Sequence, residues 1–195
     1  MVTARLTIRP RFAAAIATIA MACCGAPASG VEGHLPNQDV PEDHRGMEII
    51  EHRNERLPLD LTFTDSKGAE VKLGEFFDGE RPVVMAMVYY NCPMLCDLVV
   101  EAMHTSLSEI SWTPGKEYRV VVISFDHTET PELADLYQRS FVANLDREGA
   151  ASGVHFLVGS QPNVNAIADA LGFPFRWSEK TDQYVHPAAI YINTP

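Results

Sequence analysis

The sequence predicts an α/β domain built on a central, mostly parallel sheet flanked by helices. Residues 83–90 are a continuous apolar run and 118–125 are rich in β-branched residues, both of the length and composition of buried strands. The segments that follow them carry apolar residues at helical spacing, and Pro or Gly punctuates the boundaries. Strand and helix therefore alternate, as a parallel sheet with crossover helices requires.

The elements follow in order. Leu59, Leu61 and Phe63 alternate with Asp60 and Thr62, the mark of a half-buried strand. Asp65-Ser66-Lys67-Gly68 is a turn, and Glu70-Val71-Lys72-Leu73 answers it, giving an N-terminal β-hairpin. The run 83–90 begins after Pro82 and breaks at Asn91-Cys92-Pro93. Leu95, Leu98, Val99, Ala102, Met103 and Leu107 then predict a helix from Met94 or Cys96 to about Ile110, before Thr113-Pro114-Gly115. After the β-branched strand 118–125, Thr130 is an N-cap with Pro131 in the first helical position, opening a helix to about Asn144. A short strand at 155–158 leads to a helix from Ser160 or Gln161 through Leu171, stopped by Gly172 and Pro174. Residues 183–186 are extended and 188–192 form the last strand.

At 195 residues, with 46% apolar and 21% charged, the chain can bury a full core, which excludes wholesale disorder. A net charge of −11 argues against a nucleic-acid partner, which needs a basic patch. Residues 1–28 have the order of an export signal: Arg5, Arg9 and Arg11, an apolar run from Phe12 to Ala22, then Ala26-Pro27-Ala28. The apolar run is short for a bilayer span, so cleavage is expected over retention as a membrane anchor. Cys23 is a candidate for lipidation, although the large aliphatic residue two positions before the expected small one is missing. Removal of the signal deepens the charge to about −14 and leaves two cysteines, Cys92 and Cys96. Residues 29–56 read as a polar lead-in, and 57–195 as the domain.

The chemistry concentrates in Tyr89-Tyr90-Asn91-Cys92-Pro93-Met94-Leu95-Cys96-Asp97. Two thiols four residues apart sit where a core strand hands over to a helix. At helical spacing both sulfurs would point from one face, towards one ion or each other. Partial positive charge at the helix N-terminus favours thiolate, the form that binds soft metals and attacks disulfides. A plain structural disulfide is the alternative, but so short a loop constrains little chain entropy.

The segments V-Y-Y-N-C-P-M-L-C, S-F-D-H-T-E-T-P-E-L-A and Q-Y-V-H-P-A-A-I-Y-I resemble the Sco/SenC family from about Leu57 to the C-terminus. The resemblance implies a thioredoxin-like fold that binds one copper ion per chain through Cys92, Cys96 and His186. It also implies delivery to the binuclear copper site of cytochrome c oxidase, whose copper-receiving subunit would be the partner. Two thiolates select Cu(I), and the imidazole also suits Cu(II) or zinc. The expected location is the periplasm or the outer face of the inner membrane, with an N-terminal membrane tether as one possibility. The competing reading is a thiol–disulfide oxidoreductase, with Cys92 attacking and Cys96 resolving. A peroxidase of the peroxiredoxin type is disfavoured, because Tyr89 stands where its Thr would be.

Other residues carry weaker expectations. His127 stands at the end of a core strand and could at most support a ligand, while Asp126 could orient one or face a partner. His34, His44 and His52 read as solvated linker residues, with copper gathering as the other reading; His104 and His155 read as surface or packing. Met85 and Met87 are core residues, Met94 is read as a packing residue and is the one methionine whose thioether could approach copper, and Tyr89 and Tyr90 support the loop. The resemblance further implies a C-terminal hairpin strand and helix that this chain lacks, so the sequence reads as a fragment whose last strand exposes an edge.

Overall fold

The computed structural model describes residues 44–195. The expected export signal, Cys23 and His34 lie outside the described residues.

The core is a six-stranded sheet. Strands β1 (Thr62–Asp65) and β2 (Glu70–Lys72) form the expected hairpin. Strands β3 (Val83–Val88), β4 (Arg119–Ser124) and β5 (Val154–Val158) are the parallel centre. Every residue of β3 is buried, as is β4 after Arg119, which explains the unbroken apolar run of β3 and the Val120–Ile123 run of β4. The sheet order is β2-β1-β5-β4-β3-β8, with antiparallel strands at both sides. Strand β8 (Ile190–Asn193) pairs with β3 and is the outer strand; Ile192 is 75% exposed.

Helix α1 (Leu95–Glu109) connects β3 to β4, and α2 (Pro131–Leu145) connects β4 to β5. Both crossovers step the same way across the sheet and the two helices touch, so they share one face. Helix α3 (Gln161–Leu171) buries Val164, Ile167, Ala168 and Leu171, and Asn163 ties its first turn to the Thr62 carbonyl. Strands β6 (Arg176–Ser178) and β7 (Gln183–Val185) form a separate hairpin, and β7 leads directly to His186.

Two differences from the sequence reading have physical causes. The first strand begins at Thr62 rather than at Leu59, because the chain turns after Pro58, where the Leu61 N–H donates to the Pro58 carbonyl. Residues 44–56 were expected as solvated linker, yet the Ile50 N–H donates to the Gly172 carbonyl and the His52 ring meets the Ala170 carbonyl. Gly172 makes that contact possible: its φ is +62°, and a β-carbon there would lie 1.8 Å from the Ile50 oxygen. Among the described residues, no helix is long and apolar enough to cross a membrane.

Candidate metal centre

The centre forms where β3 leaves the sheet. Tyr89 and Tyr90 follow the strand as buried residues, Cys92 comes next in the turn, and Met94 is the N-cap of α1. Only Cys96 is helical. The sulfurs converge by a different route from the expected shared helix face: Cys92 curls back over the helix start, where its Sγ accepts the Cys96 N–H at 3.3 Å. That sulfur takes the place of a capping oxygen. The Sγ of Cys96 in turn accepts the Tyr89 N–H at 3.3 Å.

His186 arrives from the far end of the sequence. Its Nε2 lies 3.6 Å from the Cys96 Sγ, and its Nδ1 lies 2.7 Å from the Pro187 carbonyl oxygen. A carbonyl only accepts, so Nδ1 carries the proton and the Nε2 lone pair faces the cysteines. Tyr89 and Phe125 rings pack against the imidazole with centroids at 5.8 and 4.9 Å. The potential ligand atoms of Cys92, Cys96 and His186 all lie within 4.8 Å of one another. They are 7%, 3% and 8% exposed respectively.

The two thiols are not equivalent. Burial works to raise the pKa of Cys92, but the Cys96 and Met94 N–H groups and the Tyr89 phenol outweigh it, leaving it below the usual thiol range. Burial pushes Cys96 well above that range, and the nearby Cys92 adds to the rise. Burial also lowers the pKa of His186, which keeps the imidazole neutral and able to ligate. Two sulfurs and one neutral imidazole nitrogen fit a soft or borderline ion and leave its coordination open.

The remaining expectations sort by position. Met85 and Met87 are fully buried in β3, as expected of core residues. Met94 is 67% exposed, so its side chain points to solvent rather than into the core. His127 is exposed and borders an open cavity of about 590 Å³ with Phe125, Trp177 and Tyr184, outside the three-residue cluster. Asp126 accepts from the Thr128 N–H and hydroxyl, which makes it a turn residue. His104 packs edge-on against Phe141, and His155 packs against Phe76.

One residue at the centre escaped the sequence reading. Glu129 is 8% exposed, and its carboxylate accepts the Tyr90 and Asn91 N–H groups at 2.8 and 2.7 Å and the Ser124 hydroxyl at 2.6 Å. In sequence it is one acidic residue among several before a helix, and only its burial distinguishes it.

Comparison with known proteins bears on the fold and the family. No curated protein sequence matches the chain. Among solved structures, a protein of Aquifex aeolicus VF5 provisionally assigned to electron transfer aligns at 23% identity and a TM-score of 0.58, covering 70% of this chain and 75% of that one. Arabidopsis thaliana ScoI with copper bound aligns at 18% identity and 0.51, covering 68% and 77%. BsSco, described as having a disulfide switch and belonging to the Sco family of cytochrome c oxidase assembly proteins, aligns at 20% and 0.52, covering 74% and 81%. These likenesses establish the thioredoxin-like fold. The SCO1/SenC family model matches residues 51–195, which hold both cysteines, Glu129 and His186, and the chain therefore belongs to the SCO1/SenC family.

Proposed function

We propose that this chain is an exported copper metallochaperone. Cys92, Cys96 and His186 hold one copper ion and pass it to the copper-receiving subunit of cytochrome c oxidase, at its binuclear copper site. The convergence of two sulfurs and one imidazole nitrogen within 4.8 Å carries this reading. Thiolates suit Cu(I), while the imidazole extends the site to Cu(II). Three protein ligands leave room for an acceptor's ligand to enter before the donor lets go, which suits cargo better than a resident cofactor. Copper bound to Arabidopsis ScoI supports the choice of ion, and the description of BsSco supports the destination. The basic, apolar and small-residue order of residues 1–28 supports export to the periplasm or the outer face of the inner membrane.

The test is anaerobic Cu(I) titration of the reduced protein against a chromogenic chelator. Wild type is expected to take up one equivalent, and His186→Ala to lose at least about tenfold in affinity, ~1.4 kcal/mol. Unchanged affinity and spectrum in His186→Ala would contradict the site.

The inequivalent thiols favour a second reading, thiol–disulfide exchange. The Cys92 thiolate attacks a partner disulfide, expelling one partner thiolate and forming a mixed disulfide. Cys96, once deprotonated, attacks Cys92 in that bond and releases the second partner thiolate. Two electrons pass to the partner and a Cys92–Cys96 disulfide remains. Turnover that needs both cysteines and ignores His186 would select this reading.

A further inference from the structure

We propose that Glu129 is a positioning residue of the metal centre, its buried carboxylate pinning the Tyr90–Asn91 turn that sets Cys92 and Cys96 against His186. The inference rests on the metal-centre reading above and deepens it.

The pinned dipeptide has site groups on both sides. Tyr89, immediately before it, gives its N–H to the Cys96 Sγ. Cys92 immediately follows Asn91. A movement of the Tyr90–Asn91 peptide is thus transmitted to both sulfurs. The two N–H groups it presents are no longer served by the sheet, since β3 ends at Val88. One Glu129 oxygen takes each of them. Losing these acceptors would leave two N–H donors unpaired beside the core.

The chemistry of the pocket selects a carboxylate. Three donors converge on Glu129: two backbone N–H groups and the hydroxyl of Ser124, itself fully buried at the end of β4. An ionised carboxylate only accepts, and so satisfies all three. An amide of the same shape would turn an NH₂ towards at least one of them. Other ties complete the frame. The Tyr137 hydroxyl donates to the Tyr90 carbonyl, and the Tyr90 hydroxyl donates to the Leu157 carbonyl at 2.9 Å. Glu129 supplies the tie on the donor side, from the loop just before α2 to the turn just before α1.

The test compares Glu129→Gln and the core variant Val164→Ala with wild type by Cu(I) affinity, the Cu(II)–thiolate absorption band and amide hydrogen exchange. Glu129→Gln is expected to weaken Cu(I) binding about 10- to 100-fold, the effect usual for a residue that orients ligands. It should also shift the band and speed exchange at Asn91. Val164→Ala opens a cavity in the core under α3, outside the Glu129 network, and should leave affinity within about threefold of wild type. Wild-type affinity and band in Glu129→Gln would overturn the proposal, as would an equal loss in Val164→Ala, which would signify general loosening. Should Glu129→Gln fail to fold, Glu129→Asp keeps the charge with a shorter reach. Weaker binding with faster Asn91 exchange in that variant supports the latch, and unchanged binding overturns it. If His186→Ala loses affinity while Glu129→Gln does not, the latch alone fails. If neither changes, the metal-centre reading fails with it.

Discussion

At the residue scale, the centre depends on an asymmetry between two like side chains. Cys92 sits at the positive end of α1 with N–H donors and the Tyr89 phenol around its sulfur, whereas Cys96 is buried beneath it. Cys92 should therefore alkylate first, with a rate that rises with pH and levels off below the ordinary thiol value of about 8.5. Cys96 should lag at every pH from 6 to 9. Timed iodoacetamide labelling read by mass spectrometry checks this; equal labelling, or a Cys92 midpoint above the ordinary value, would contradict it. The cysteines were legible because their spacing and place after an apolar run are sequence features. His186 was legible only through the family motif, since nothing local to residues 183–186 distinguishes a ligand from a packing histidine. Glu129 was not legible, because what matters is the convergence of donors from β3 and β4, which no spacing reports.

At the element scale, the buried strands and amphipathic helices were readable and the exposed strand β6 was not. Strand β3 is apolar throughout and β4 from Val120 to Ile123, because both of their faces are covered. Strand β6 has Arg176 and Trp177 exposed and pairs only with β7, so no burial pattern marks it. The contacts of residues 44–56 with the domain were illegible for a related reason: they run largely through backbone groups, which are invisible in side-chain polarity. Strand β5 carries a testable consequence. Burial, with the Arg119 guanidinium nearby, holds the His155 imidazole down to about 4. An unfolded chain titrates near 6.5, so between these values it binds the proton that the fold refuses. Stability should fall as pH drops through that window and level off below it. The His155 contribution is on the order of 2 kcal/mol, after allowance for partial exposure. Chemical denaturation of wild type and His155→Gln at a series of pH values checks this, since the variant should lack that part of the slope. Identical slopes would contradict the assignment.

At the scale of the whole molecule, the sheet brings together residues ninety positions apart. Cys96 leaves the C-terminal end of β3, and His186 arrives after β7, in the segment that then runs antiparallel along β3 as β8. The parallel centre thus gathers the ligands at one end, where open α/β sheets commonly place their sites. The acidic balance of −11 suits a protein that meets cations or basic partner surfaces rather than nucleic acid. Long-range placement of this kind follows from topology; the alternation of strands and helices announced the mostly parallel, helix-flanked sheet, while its strand order was not legible. The most direct test of a Cys92–Cys96–His186 copper site is X-ray absorption on the Cu(I)-loaded reduced protein. The expected first coordination shell contains two sulfurs and one imidazole nitrogen, with the imidazole lost in His186→Ala. A shell of sulfur alone in wild type, or one unchanged by that substitution, would contradict the site.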